Sequence, residues 1–381
     1  KAKRMSQQLM AVVAESKQGR VYLSPTPEQE RIAFSAQPEW KPDTELSTHP
    51  QYMAAPRYGM TTHGDLFTDR QLVALTTFSH LVKEVREKVI EDAIDAGLSD
   101  DNVPLQEEGI GVRAYGEAVA TYLGIGVSKL SDYNSSNVTW SNTRDQAGHV
   151  FTKQALSMVW DFAEVNPLIG AAGDLTVSLR GITKAILSNP YAVTSGLVTQ
   201  QNATSMKIDK EFLLSTDPPY YDAVPYADLS DFFYVWLRRS LNSIYPNLFR
   251  TVLVPKSQEM VADSFRYDSR EKAKEFFENS LIKVFHRTNQ INHFNYPVTV
   301  YYALKQVEID DQDHAASTGW ETILKGLMQA NYSIGGTWPF RTERSSRMRS
   351  IGSNALASSI VLVCRPRPET ATQTTRRQFL S

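Results

Sequence analysis

The stretch that most constrains this chain runs from Phe212 to Tyr221. Phe212-Leu213-Leu214 is a short apolar segment that reads as a buried strand. Ser215, Thr216 and Asp217 follow, then two prolines, Pro218 and Pro219, and then Tyr220 and Tyr221. Proline has no amide donor and restricts the residue before it, so a ladder does not run on through the pair and a helix does not start freely there. The chain must leave the strand end and turn sharply. A carboxylate and an aromatic ring are then displayed at the carboxyl edge of a sheet, where open α/β folds place their ligands.

That arrangement suits chemistry on an exocyclic amine. The Asp217 carboxylate can accept one N–H of the amine, and the Pro218 carbonyl can accept the other. The ring of Tyr220 can stack on a flat base. Held this way, the amine aims its lone pair at an electrophilic methyl group. No strong base is needed, because the amine can lose its proton after attack. The target atom is inaccessible inside a duplex, so the base must be flipped out.

Asp217-Pro218-Pro219-Tyr220 resembles the catalytic motif of S-adenosylmethionine-dependent amino-methyltransferases. The longer string from Asp217 to Arg239 is similar to one family in particular, the large predicted adenine-specific DNA methylases described as zinc-ribbon-associated and found among anti-phage defence genes. The segments Tyr58–Thr68, Asp132–Ser135, Met158–Pro167 and Ala355–Ile360 match it in the same order. The resemblance spans about Tyr58 to Arg365 and looks like the carboxyl-terminal part of such a protein. It implies a Rossmann-like methyltransferase sheet, α/β in class, incomplete at the amino terminus and carrying a helical inserted region. It implies S-adenosylmethionine as cosubstrate, DNA as partner, and other defence-system proteins as further partners. Catalytic roles would fall to Asp217, Pro218, Pro219 and Tyr220, with Tyr221, Asp222 and Tyr226 near the target base. Asn202, one unit before the motif, matches the polar position near the cosubstrate adenine.

The loop Asn166-Pro167-Leu168-Ile169-Gly170-Ala171-Ala172-Gly173 superficially resembles the glycine loop that holds the methionine end of the cosubstrate. Asn166, Gly170 and Gly173 are its candidate residues. Two features count against it: no convincing apolar strand precedes it, and only about 40–50 residues separate it from Asp217, whereas each βαβ unit needs ~30.

The remaining composition narrows the alternatives. The chain has 381 residues, a net charge of −2 and one cysteine, Cys364. A single cysteine excludes an internal disulfide and a multi-cysteine zinc site, and the seven histidines show no metal-ligand spacing, so no metal is expected in this chain. No apolar run approaches the ~20 residues of a membrane span, and no signal-like core follows Lys1-Ala2-Lys3-Arg4. These features point to the cytoplasm. Between Arg341 and Arg377 stand eight arginines against two glutamates. Arg341, Arg344, Arg347 and Arg349 are therefore candidate phosphate contacts, with a solvated surface as the alternative.

Residues 1–57 are rich in proline and read as an irregular linker or the tail of an upstream region, which suggests a fragment. Residues 58–165 read as helical, 166–365 as the catalytic portion, and 366–381 as a polar tail. Thr68 and Gln71 have capping-box spacing, and Leu72, Leu75, Phe78, Val82, Val85 and Val89 then form one apolar helix face. Further helices are expected over 115–130, 154–162, 179–187, 231–241, 271–289 and 318–330. Gly124 and Gly126 would allow close packing of the first of these. Strands are expected over 191–200, 297–304, 332–338 and 358–363. The polar and aromatic residues around Trp140, Asn142 and Arg144 either face nucleic acid or form a loop with one packed tryptophan. Three functional readings stand open: adenine methylation in DNA, methylation of RNA or of another ring amine, and a non-catalytic nucleic-acid-binding fragment of a defence complex.

Overall fold

A computed structural model describes residues 6–189, 196–208, 211–221, 224–303, 315–341, 358–368 and 370–371. The elements run β1 (Val12–Ser16), β2 (Gly19–Leu23), α1 (Pro27–Ala33), α2 (Asp69–Asp95), α3 (Val112–Ser131), β3 (Trp140–Ser141), β4 (Gln146–Ala147), α4 (Leu175–Ser188), β5 (Ser215–Thr216), α5 (Tyr226–Leu241), α6 (Arg270–Ile291), β6 (Val298–Ala303), α7 (Ala315–Gln329), β7 (Tyr332–Arg341) and β8 (Ser358–Pro366). The class is mixed α/β, with no closed barrel among the described residues. The chain divides into two compact units. Unit 1 comprises Lys1–Thr194 and Tyr226–Lys256, and unit 2 comprises Ser195–Pro225 and Ser257–Ser381.

Unit 1 is built around α3, on which α2, α4 and α5 all pack. The Thr68 side chain accepts from the Gln71 amide and Gln71 returns a bond to the Thr68 amide, so the capping box starts α2 where its spacing predicts. Leu72, Leu75 and Val82 are buried on its inner face, while Phe78, Val85 and Val89 are half-buried. The two glycines of α3 do what their size allows. A Cβ on Gly124 would lie 2.8 Å from Leu241 of α5, and one on Gly126 would lie 2.6 Å from Leu179 of α4. In α5, Trp236 is fully buried and meets Phe67 edge-on at 5.3 Å and Trp40 at 5.7 Å. Removing a ring of this size from water is worth more than the ~1.5–3 kcal/mol of an ordinary buried apolar side chain.

Two expectations fail in unit 1. Residues 154–162 form no helix. Leu156 bridges Met53 and Phe162 bridges Thr139, so backbone pairing to distant segments replaces local helical bonds. The region before Tyr58 is also less irregular than its prolines suggest, since β1 and β2 form an antiparallel hairpin and α1 has a Thr26 cap. The prolines lie outside the hairpin, whose two-residue turn, Lys17-Gln18, closes on Gly19 at φ +113°.

Unit 2 contains a four-stranded sheet in the order β5-β6-β8-β7. β5 and β6 are parallel, with Ser215 opposite Thr299 and Thr216 opposite Val300. β8 runs antiparallel to both of its neighbours, so the last strand lies between the two before it. Val298, Val300 and Tyr302 alternate onto one face, as do Leu362 and Cys364. Phe277, Leu281 and Phe285 of α6 and Ile323 and Leu327 of α7 complete this core.

The strand expected at Phe212–Leu214 is displaced. It forms at Ser215–Thr216, with Phe212 and Leu213 44 % and 67 % exposed rather than buried. Being apolar does not bury this segment, because β5 is an edge strand of the described sheet. Of the strand expected over 191–200, residues 196–200 have no regular structure and the rest lie outside the described residues. α7 begins at Ala315, so Thr318 lies inside the helix and not at its cap.

Candidate functional site

β5 ends after two residues because Pro218 and Pro219 cannot donate to the ladder. The strand therefore delivers Asp217 to the carboxyl end of the parallel β5–β6 pair. Asp217 is exposed, Pro218 is buried and Pro219 is exposed. Among the described residues no donor or cation meets the Asp217 carboxylate, and desolvation raises its pKa above the ordinary carboxylate value.

Tyr220 is 40 % exposed, and its ring stands edge-on to Tyr302 at 5.3 Å and 86°. Tyr221 is half-buried and stands edge-on to Phe277 at 5.5 Å. Tyr302, near the end of β6, was not foreseen from sequence, yet it organises this turn. Its ring supports Tyr220, while its hydroxyl accepts from the Tyr221 backbone amide. Burial pushes the Tyr302 hydroxyl pKa up, the Tyr221 amide pulls it down, and Tyr220 adds a small push upward.

Gly319 of α7 approaches the same hydroxyl. A Cβ there would lie 2.9 Å from the Tyr302 oxygen and 3.3 Å from the Tyr221 Cβ. A glycine within a helix beside a tyrosine-rich strand end was the available signal, but the contact itself is tertiary. The chemistry on offer here is a carboxylate unpartnered among the described residues, the Pro218 carbonyl and a partly exposed ring held edge-on by a second ring.

The other predicted site residues fall in both units or outside the described residues. Tyr226 opens α5 in unit 1, where its hydroxyl accepts from Gln154 Nε2 at 3.1 Å. Asp222 lies outside the described residues. Asn202 belongs to unit 2 and makes a local turn, its Oδ1 accepting from the Thr204 amide at 2.9 Å and the Thr204 hydroxyl at 2.8 Å. Arg341 ends β7, paired with Ser358, while Arg344, Arg347 and Arg349 lie outside the described residues.

Asn166, Gly170 and Gly173 form a loop in unit 1 that leads into α4. Asn166 Oδ1 accepts from Leu168, and Gly170 and Gly173 take φ +76° and +89°. The Gly170 amide donates to Asp174 Oδ2 at 2.7 Å, and Asp174 Oδ1 caps the amides of Thr176 and Val177. Burial works to raise the Asp174 pKa, but the bonds from Thr176, Gly170 and Val177 outweigh it and hold the carboxyl low. The helix start is thus filled by the chain's own anion.

The segment Tyr58–Thr68, quoted above for its motif, is structural in this fold. Asp65 accepts from the amides of Thr61 and Thr62 at 2.8 and 2.9 Å. His63 is buried, with Nδ1 at 3.0 Å from the Thr44 carbonyl and 2.9 Å from its hydroxyl, and burial lowers its pKa. Asp231 of α5 is also buried. It accepts from Lys256 Nζ at 2.6 Å and from the Val254 amide at 2.8 Å, and burial pushes its pKa up against both.

Among the described residues no cluster of histidine, cysteine, aspartate or glutamate could hold a metal ion, and no helix is long and apolar enough to cross a membrane. Comparisons of the chain with protein families, with curated proteins and with solved structures each return no match.

Proposed function

We propose that this chain is an S-adenosylmethionine-dependent methyltransferase acting on the N6 amino group of adenine in DNA. The observation that carries the reading is the Asp217 carboxylate, unpartnered among the described residues at the carboxyl end of a parallel strand pair, beside the Tyr220 ring. Support also comes from the element order after the motif: a turn, helices, a strand, a helix and two closing strands, the order of the carboxyl half of a Rossmann-like methyltransferase sheet.

The flipped adenine stacks on Tyr220. Its amine donates one N–H to Asp217 and one to the Pro218 carbonyl. Held so, the nitrogen lone pair attacks the sulfonium methyl. The N–C bond forms as the C–S bond breaks, and S-adenosylhomocysteine leaves. The surplus proton departs from nitrogen after attack. Asp217 acts as the carboxylate, so catalysis falls as pH drops through its raised pKa.

RNA methylation or another ring amine remains the second reading, because the motif recognises an amine on a ring and not the ring itself. Calorimetric titration with S-adenosylmethionine, followed by nucleoside analysis of treated DNA and RNA, tests the proposal. One-to-one binding and N6-methyladenine in DNA are expected. A methylated RNA nucleoside would move the assignment to the second reading. A folded chain that binds no cosubstrate would leave a non-catalytic nucleic-acid binder.

A further inference from the structure

Unit 1 carries a cleft of its own. The turn after α3 and the β3–β4 hairpin line a solvent-open cleft of about 480 Å³, whose walls include Tyr133, Thr139, Ser141, Arg144, Gln146 and His149. That volume suits a ligand the size of one nucleotide.

Charge in the cleft is organised. Asp145, beside Arg144, is already engaged by the Tyr22 hydroxyl and lies 4.0 Å from Arg20. Arg144 is exposed and, among the described residues, its guanidinium has no carboxylate partner. His149 Nδ1 lies 3.2 Å from Asp132 Oδ2. Asp132 is fixed in turn, its other oxygen accepting from the Phe151 amide at 3.1 Å and its carbonyl from Val150 at 2.8 Å. The Tyr133 ring stands 5.8 Å from the His149 ring, tilted by 44°. Gly148 lets the wall close on Thr139, since a Cβ there would lie 3.1 Å from the Thr139 hydroxyl.

Among the described residues the cleft therefore offers one guanidinium without a carboxylate partner, the Tyr133 and His149 rings, and hydroxyl and carboxamide groups. A nucleoside triphosphate brings far more negative charge than one guanidinium meets. A phosphodiester brings one charge per nucleotide. A base still stacked in a duplex could not reach the Tyr133 ring. We infer that this cleft binds one nucleotide of a single-stranded nucleic acid, with the phosphodiester on Arg144 and the base against Tyr133. The site is independent of the methyl-transfer reading, because it uses none of the residues around Asp217.

Fluorescence anisotropy with a labelled oligothymidylate of about twelve nucleotides tests this on the full chain. Saturable binding of the single strand in preference to its duplex is expected. Arg144→Glu should weaken it about tenfold or more, and Arg144→Gln should reduce the salt slope by about 0.7. Tyr133→Leu should weaken binding about fivefold or more. The same Arg144 effects should appear in an Asp217→Ala background, so loss of methyl transfer would not bear on them. Arg144 is exposed, and its variants should unfold at the wild-type temperature. Absence of single-strand binding, preference for duplex, or wild-type affinity in both Arg144 variants would overturn the inference.

Discussion

In the sequence Asp217 precedes Tyr220 and Asp231 follows it, and burial raises the carboxyl pKa of both, yet their surroundings differ. Asp231 is buried and answered by an ammonium and an amide. Asp217 is exposed at a strand end and, among the described residues, unanswered. A satisfied buried carboxylate holds a fold together, whereas a desolvated one left without a partner is available to a ligand. The difference separates a carboxylate that holds the fold from one left open to a ligand, within one stretch of sequence whose motif residues look equally prominent.

Breaking the structural side should have the largest effect on stability. Asp231→Ala removes the acceptor of the Val254 amide and the carboxylate facing Lys256, whose ammonium is 28 % exposed and keeps the Val254 carbonyl at 3.1 Å. The expected loss is about 3 kcal/mol in urea unfolding, the lower end for a broken buried pair. Asp231→Asn keeps an acceptor for Val254 and should lose less.

On the functional side, Gly319→Ala forces a methyl against the Tyr302 hydroxyl at 2.9 Å. Overpacking costs ~1–3 kcal/mol, and alanine's helix preference returns about 1, so a net loss near 1 kcal/mol is expected. In a Tyr302→Phe background the hydroxyl contact is gone, the 3.3 Å approach to the Tyr221 Cβ stays, and the loss should shrink. A double-mutant cycle reads this directly. Additive effects would mean that the hydroxyl and α7 do not meet.

His63 gives a smaller, pH-dependent effect. Its folded pKa is depressed, so its neutral form contributes stability above the unfolded value near 6.5, and that stability is lost as pH falls through the folded value. The urea midpoint should decline from pH 7 towards 5, and His63→Gln should flatten that decline. Smallest is Asp217→Asn. A raised folded pKa means that the ionised form costs stability, a cost that is present at neutral pH and vanishes below the ordinary aspartate range. The variant should melt slightly higher at pH 7, by about 1–2 °C, with no gain near pH 3.

Much of this was legible in the sequence where the information is local. The Thr68–Gln71 cap, the α2 stripe and the small residues of α3 are each set by spacing and size, and they appear as read. The strand–turn of Asp217 was legible because prolines act on their own backbone. Long-range facts were not. Phe212 and Leu213 look buried in sequence, but whether a strand has neighbours on both sides is a property of the sheet. Leu156 and Phe162 sit at positions compatible with a helix face, yet bridges to Met53 and Thr139 decide their conformation. Tyr302 looks like an ordinary strand residue until it is seen to hold Tyr220 and the Tyr221 amide.

The most direct test of the account is transfer of a tritiated methyl group from S-adenosylmethionine to DNA by the wild-type chain and by Asp217→Ala, with the product identified as a nucleoside. The account predicts label in N6-methyladenine, a fall of at least about a hundredfold on removing the carboxylate, and thermal unfolding of the variant no lower than that of the wild type. Label that survives Asp217→Ala, or a wild-type chain that binds both DNA and S-adenosylmethionine without transferring the methyl group, would contradict it.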